Sequence, residues 1–559
     1  MAEFEESFDV VIVGSGGGAL CAALTTLDAG KTALVLESTD KLGGSTSLSG
    51  GVLWVPNHPL QAAAGVDDSV ESGLAYLKAV NTEDDSQVRW TRDRAFVTKG
   101  PEMISFLMRK GIPLWRCEGW SDYHDELPGG CPRGRSLMTN RFDLRKLGAL
   151  ADRLRRGPMP FPLQWPDFQV LPLVKRTFKA KLAALKLGIL LTKMRLTGQQ
   201  LVSAGTALQA RMLHALDRAG CVLRTESPVV DFVRDASGRV SGVVAEQDGK
   251  RIAIEARLGV VVAAGGFARN QEMRDQFGPK PAHTEWSHSN PGDQGGPLSL
   301  MIDLGAQTDF MDNAIWLVSS RQPNGAVYHL DDIAKPHSFI VNKEGRRFTD
   351  EAGSYLQNGR NMYAAGATPG WLILDSRHRE RYMVGGAMPG STPPEWISSG
   401  YLKKADTLEE LAGICGIDPE GLARTAQTFN RDAEAGTDTE FNRGGRVYDR
   451  VWGDPTVRPN PVLGAVSKPP FYAIEVYPGD VGTAGGVVID EHARVLDTSG
   501  TPIEGLYAAG NCTASIFGRT YPGAGASIAA TFAFGYIGAQ HALDQAKAPV
   551  AEPEKVQAA

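Results

Sequence analysis

An apolar, β-branched run, Phe8-Asp-Val-Val-Ile-Val13, feeds without a spacer into Gly14-Ser15-Gly16-Gly17-Gly18-Ala19 and then into an alanine- and leucine-rich stretch ending at Ala29-Gly30. A second apolar run, Thr32-Ala-Leu-Val-Leu-Glu37, closes on an acid. Strand, glycine turn, helix, strand and acid in this order is the layout of a dinucleotide site on a parallel α/β sheet. Nothing else in the chain restricts its fold as much. Gly14 makes the tight turn, Gly16 admits a pyrophosphate to the backbone, and Ala19 lets helix pack closely on strand. Ser15, Gly17 and Gly18 complete a loop whose N–H groups, at a helix start, suit phosphate oxygens. Glu37 is placed to take ribose hydroxyls, with Ser38 beside it.

A second glycine patch follows: Lys41-Leu-Gly43-Gly44-Ser45-Thr46 and then Ser49-Gly50-Gly51. A nicotinamide cofactor does not need it. A cofactor lying extended across the domain does, because its pyrophosphate and a flavin ring both require backbone without side chains.

At 559 residues the chain is too long for one small core, and two domains are expected. Its 64 glycines form no low-complexity run, so they are positional. A net charge of −6 argues against nucleic acid as a partner. The six cysteines include no Cys-x-x-Cys pair and no Cys/His cluster, so they read as reduced thiols in a cytoplasmic enzyme without a metal. The N-terminus is acidic, the reverse of a signal peptide, and no apolar run reaches the ~18 residues of a membrane span.

The segment Gly43-Gly44-Ser45-Thr46-Ser47-Leu48-Ser49-Gly50-Gly51-Val52-Leu53-Trp54-Val55-Pro56-Asn57 resembles the flavoprotein family of fumarate reductases and 3-ketosteroid dehydrogenases, with Trp54, Pro56 and Asn57 pointing to the ketosteroid branch. Three further segments fit the family. The resemblance implies that Val229-Val230 passes under the adenine of FAD, that Ala264-Gly265 lies near the cofactor's centre, and that Gly510-Asn511 closes on the ribityl chain. The implied fold is α/β: a discontinuous Rossmann-like FAD-binding domain at 1–318 and 481–559, with an inserted α+β catalytic cap at 319–480. The resemblance covers nearly the whole chain except residues 153–200 and the tail after about Ala546.

Residues 153–200 carry ten lysines and arginines against one acid, Asp167, with bulky apolar residues interleaved. A helix over 174–196 places Lys175, Lys179, Lys186 and Lys193 on one stripe and Leu182, Leu185 and Ile189 on a neighbouring face. Such a helix suits the anionic inner face of a membrane as a peripheral contact. The alternative is an ordinary helix whose apolar side packs on the protein. The membrane reading expects that deleting 153–200 spares activity on soluble steroids.

The segment Gly518-Arg-Thr-Tyr521-Pro-Gly-Ala-Gly525-Ala-Ser527-Ile528 closely resembles 3-ketosteroid Δ1-dehydrogenases. There the tyrosine hydroxyl and the N–H of the glycine four residues later hold the steroid C3 carbonyl. Physics supports this independently, since a phenol and an N–H at a helix start are two fixed donors aided by the helix dipole. Glycine at 525 also lets a flat substrate lie against the backbone, while Ser527 and Ile528 offer N–H groups to the flavin's pyrimidine edge. Tyr123, in Ser121-Asp-Tyr123-His124, resembles the family's active-site tyrosine. In the cap, Tyr355 stands where fumarate reductases carry their proton-delivering arginine, with Tyr363 as second choice for the base and Tyr472 as a wall of the slot. Two tyrosines sharing a hydrogen bond can favour a phenolate, against an ordinary phenol value near ~10.

The implied reaction converts a 3-oxo-4-ene steroid to the 1,4-diene: the C2 proton goes to a tyrosine and the C1 hydride to flavin N5, with an unidentified electron acceptor downstream. The alternatives are a Δ4-dehydrogenase and a fumarate-reductase-like enzyme on a small unsaturated acid. The latter needs cations over the flavin; Arg519 is one candidate, but Tyr355 and Gly482 replace the family's arginine and histidine.

Overall fold

The computed structural model describes residues 3–83 and 86–545, so the part of the 481–559 segment from 546 onward lies outside the described residues. Val10, Val11 and Ile12 have no exposed surface, as a parallel strand covered on both faces requires. Their strand, Glu6–Val13, pairs in parallel with Lys250–Val262 and with Ala33–Leu36. The sheet continues to Val222–Arg224 at one edge and to Pro502–Ala508 and Arg494–Leu496 at the other. Val240–Gln247 and Val229–Arg234 form an antiparallel extension from the Lys250 strand.

Six helices frame the sites of the molecule: α1 (Gly17–Asp28), α2 (Gln87–Arg109), α3 (Phe178–Thr197), α4 (Ala204–Arg218), α5 (Tyr355–Ala364) and α6 (Ala526–Gln545). Gly14 turns with φ +100°, and a Cβ there would lie 2.4 Å from the Ala263 carbonyl oxygen. The start of α1 packs so tightly on α6 that a Cβ at Gly17 would lie 2.1 Å from the Phe532 ring. Close packing therefore falls on Gly17 and Gly18 against a helix, while Ala19 is simply buried.

A second, antiparallel sheet is built from residues 314–483, in the order Gly325–His329, Ala314–Gln322, Phe471–Thr483, Gly370–Leu374, Ser338–Val341. Leu402–Ala405 also pairs with the long Phe471 strand. Tyr472 lies opposite Leu374 and Lys404 in this sheet and packs with the cluster around Leu372 and Trp396, so it lines no slot beside the other tyrosines. Helix α5 crosses the Ala314 strand, and Glu351, just before it, is fully enclosed by Arg347 and Arg443. Burial opposes the charged carboxylate, but the two arginines outweigh it and hold Glu351 below its ordinary value. This buried ion cluster fixes the chain four residues before Tyr355.

The basic segment is anchored at both ends. Leu42 and Leu154 form a bridge, and Phe142–Asp143 pairs with Leu201–Val202 at its root. Between them Trp165 stacks on Trp120 at 4.0 Å between ring centroids and meets Trp452 edge-on at 5.7 Å. Its indole N–H donates to the Glu118 carbonyl at 2.9 Å. Arg176 pairs with the buried Asp454, which also accepts from the Tyr382 hydroxyl. The helix begins at Phe178, not 174, because the Thr177 hydroxyl caps it by accepting the Ala180 N–H. Lys175 consequently precedes the helix and rests against Gly390. Along α3 the inner face holds Ala180, while Phe178, Leu182, Leu185, Ile189 and Leu196 form an exposed apolar stripe, with Leu185 and Ile189 each 61% exposed. Ala183, Leu187, Leu190, Leu191 and Met194 of the same helix are half-buried, so it packs one apolar side on the protein and exposes another.

Candidate active site

The cofactor cradle is built from backbone. Helix α1 starts at an N-cap, Gly16, with no side-chain cap of its own, and of its first-turn N–H groups that of Gly17 goes to Thr46. A Cβ at Gly44 would lie 3.3 Å from the Gly16 Cα, so the two glycine loops converge. Glu37 is held ready: Ser15 donates to it at 2.6 Å and the Thr39 N–H and hydroxyl at 2.9 Å. Ser15 in turn accepts the Gly43 N–H. Thr46 accepts the Gly17 N–H, which ties the second patch to the first. Ser49 and Gly51 serve the loop itself: the Ser49 hydroxyl accepts the Gly51 N–H, and Gly51 abuts the Ala204 backbone. Gly50 and Ser38 are exposed. The Ser227 N–H donates to the Glu37 carbonyl, bringing Val230 alongside this pole.

Sequence reasoning missed Asp293. Its carboxylate accepts the Ser45 hydroxyl at 2.8 Å and would block any Cβ at Gly265 beside Ala264. Burial pushes its carboxyl up to about 7. Its only signal in the sequence was the turn-forming Asn290-Pro-Gly-Asp293, which other loops share.

Beyond the cradle a cleft of about 40 Å³ is lined by Gly510, Asn511, Phe517, Tyr521 and Ser527. The helix start, the side-chain-free backbone and the poised acid together fit the pyrophosphate and ribose of FAD. Ile528 is partly buried against the core. Ser527 is directed differently from expectation: its N–H donates to the Tyr521 hydroxyl at 3.2 Å, and the two hydroxyls are 2.8 Å apart.

Tyr521 precedes α6 on a loop gripped from below. The Pro522 carbonyl accepts both the Tyr76 hydroxyl at 2.6 Å and the Tyr123 N–H at 3.1 Å. The neighbouring Asp122 is buried and accepts the Trp54 indole N–H at 2.7 Å and a charged bond from Arg135. Trp54 thus lies under the loop, where a Cβ at Gly523 would meet its ring at 2.4 Å. Gly525 has φ +93°, and its missing Cβ makes room for the Val52 carbonyl, 2.3 Å from the Cβ position. The Val52 backbone therefore by itself demands glycine at this position. Among the described residues no protein acceptor takes the Gly525 N–H.

Three predicted tyrosines meet. Ring centroids are 5.4 Å apart for Tyr355–Tyr521, 5.8 Å for Tyr123–Tyr355 and 5.9 Å for Tyr123–Tyr521. A fourth, Tyr448, was missed and lies 4.3 Å from Tyr123. It follows Arg446 in a segment far from the family motifs, and its N–H is held by Asp125. Burial pushes Tyr123 and Tyr355 well above the ordinary phenol value, and Tyr448 up to about 12. For Tyr355 the Tyr123 hydroxyl works in the opposite direction, favouring ionisation. Tyr123, Tyr355 and Tyr448 accordingly rest as neutral phenols. Tyr363 is not among them. Eight residues along α5 is a rise of about 12 Å, and its hydroxyl donates to the Pro281 carbonyl at 3.1 Å beside Trp316. Arg519 is also spent elsewhere, paired with Asp312 at 2.7 Å.

The sequence matches the FAD binding domain family over residues 9–528. It is 38% identical to a 3-oxosteroid 1-dehydrogenase of Mycobacterium tuberculosis, covering 97% of this chain and 99% of that one. It is 35% identical to a 4-oxocyclohexanecarboxylate 2-dehydrogenase of Sinomonas cyclohexanicum, covering 97% and 93%. Among solved structures, 3-ketosteroid Δ1-dehydrogenase from Sterolibacterium denitrificans, in complex with 1,4-androstadiene-3,17-dione, superposes with TM-score 0.91 at 35% identity, over 97% of this chain and all of that one. The chain belongs to the FAD-binding-domain family of flavoproteins, in the branch that holds the 3-ketosteroid dehydrogenases.

Proposed function

We propose that this chain is an FAD-dependent 3-ketosteroid Δ1-dehydrogenase, and that residues 319–480 act as its catalytic cap. The observation that carries the reading is the joining of Tyr355 to Tyr123 and Tyr521 around the unclaimed Gly525 N–H. Tyr521 donates its hydroxyl, and Gly525 its N–H, to the C3 carbonyl. Polarising that carbonyl acidifies the C2–H bond. Tyr355 takes the C2 proton as the phenolate left once its own proton has gone to solvent base, and the Tyr123 hydroxyl donates a hydrogen bond that favours this phenolate. Bound FAD supplies the acceptor for the C1 hydride. Ser527 holds the Tyr521 hydroxyl in place until the carbonyl arrives. The enclosed phenols keep water and small ions from the reacting carbons.

A small unsaturated acid fits poorly, because Arg519, the guanidinium that reading needs, is paired with Asp312. Removal of hydrogens from C4 and C5 is the remaining alternative. The choice is decided by turning over a 3-ketosteroid saturated at C4 and C5 and labelled with deuterium at C1 and C2: loss of one label from each carbon supports the proposal, and retention of both with a new C4–C5 double bond refutes it.

The exposed stripe of α3 supports peripheral contact with an anionic membrane. Its apolar residues are flanked by exposed Lys179, Lys186 and Lys193, the arrangement of an interfacial helix. Among the described residues no helix is long and apolar enough to cross a membrane.

A further inference from the structure

Helices α1, α2 and α4 end side by side on the face opposite the cofactor cradle's helix start. Their last turns line a cleft of about 470 Å³ with Arg109, Lys110, Arg211, His214 and Arg218. Its floor is apolar, formed by Leu24, Leu27, Phe142 and Ala215. Cations at helix C-termini ordinarily satisfy the last carbonyls and the helix dipole. Here each terminus is already closed by its own chain. The N–H groups of Gly30, Gly111 and Gly220 bond back into the final turns, and all three glycines have positive φ. The cations are left over.

The one acid in the lining, Asp28, is taken by Lys110. Arg109 and Arg218 form no ion pair among the described residues. Arg211 lies over the Phe142 ring at 5.2 Å and donates only to the carbonyls of Asn140 and Arg141. Burial without an acid beside it lowers its pKa. Facing the same ring, at 5.8 Å, His214 buries an Nδ1 that has no partner. A half-buried cation over an aromatic floor, with two unpaired guanidinium groups at the rim, is complementary to one multivalent anion carrying an apolar body.

We propose that this cleft binds a phosphate ester with an apolar tail, presented as a membrane phospholipid headgroup. The placement supports that source: Phe142 belongs to the two-residue strand that pairs with Leu201–Val202, directly after α3. The headgroup cleft thus stands at the root of the helix whose exposed stripe is apolar. The source of the ligand rests on the membrane reading of α3; the cleft's preference for phosphate does not.

The test uses the FAD-loaded full chain. Dihexanoyl phosphatidylglycerol below its micelle concentration, glycerol 3-phosphate and inorganic phosphate are titrated in turn, by calorimetry and by the shift of the His214 ring resonances. The short lipid is expected to bind, with at least a tenfold loss in Arg211→Gln and in Arg218→Gln. Arg218 is exposed, so that variant cannot fail merely by misfolding. Leu185→Gln/Ile189→Gln, on α3, is expected to bind the short lipid normally while sedimenting less with vesicles of phosphatidylglycerol. Short-lipid binding without wild-type vesicle sedimentation would overturn the membrane reading and keep the cleft. Equal affinity for glycerol 3-phosphate would overturn the lipid source. No binding of any probe, or binding indifferent to both arginine variants, would overturn the cleft itself.

Discussion

The Tyr521 hydroxyl accepts the Ser527 N–H at 3.2 Å and lies 2.8 Å from the Ser527 hydroxyl. One phenol is thereby aimed by the first turn of α6, a helix anchored along its length on α1. The geometry makes Tyr521 a donor fixed before substrate arrives, which is the condition under which a single hydrogen bond to a developing oxyanion is worth most.

Tyr521→Phe is therefore expected to lower kcat by about 10²–10³-fold, the usual effect of losing one such donor. The flavin spectrum should be unchanged. Ser527→Ala removes the hydroxyl contact but keeps the backbone N–H on the phenol, so its loss should be smaller and should be restored by Ser527→Thr. Steady-state kinetics of the three variants checks both statements.

The pH dependence has a fixed sign. Burial lifts the Tyr355 phenol well above its ordinary value, so its deprotonated form grows steadily with pH across the neutral and mildly alkaline range. The rate of flavin reduction should rise through pH 9 without a plateau. Because the Tyr123 hydroxyl favours that ionisation, Tyr123→Phe should lower the rate and move the rise to still higher pH. Stopped-flow reduction at a series of pH values checks the rise in the wild type and the drop in the variant, whose curve should run below and parallel to it.

Asp293 is expected to govern cofactor affinity. Its carboxyl, lifted to about 7 by burial, is neutral below that pH and charged above it, beside the loops that receive an anionic pyrophosphate. FAD should bind more tightly below pH 7 and progressively less tightly above it, by up to about tenfold per pH unit. Asp293→Asn should flatten this profile, as read by fluorescence titration of apoprotein with FAD.

The Trp120–Trp165–Trp452 cluster makes the basic segment a wedge between the two sheet-bearing lobes. Deleting 153–200 should therefore destroy stability and activity together, contrary to the expectation drawn from the sequence. Trp165→Ala alone should cost about 3–5 kcal/mol, measured by denaturant unfolding, whereas Leu185→Gln on the exposed stripe should leave unfolding unchanged.

The cradle was legible because each of its parts is local: Gly14, Gly16 and Glu37 announce themselves within one strand–helix–strand unit. Tyr521 and Gly525 were legible for the same reason, although the strain that demands glycine at 525 comes from Val52, a contact no local pattern records. Tyr448 and Asp293 were not legible, since a lone tyrosine or a turn aspartate acquires meaning only from what burial brings beside it. Tyr363 misled because helical spacing, correct in itself, says nothing about how far along the axis the site extends. In the basic segment, charge and apolarity were visible, but Trp165 was one bulky residue among several until its stack with Trp120 was seen.

The central claim is tested most directly by mixing the oxidised, FAD-loaded protein anaerobically with a 4-en-3-one steroid, following flavin absorbance and identifying the product by mass and NMR. The account requires bleaching with formation of the 1,4-dien-3-one. A flavin that stays oxidised with both 4-en-3-one and saturated 3-ketosteroids, or a product desaturated elsewhere in the ring, would contradict it.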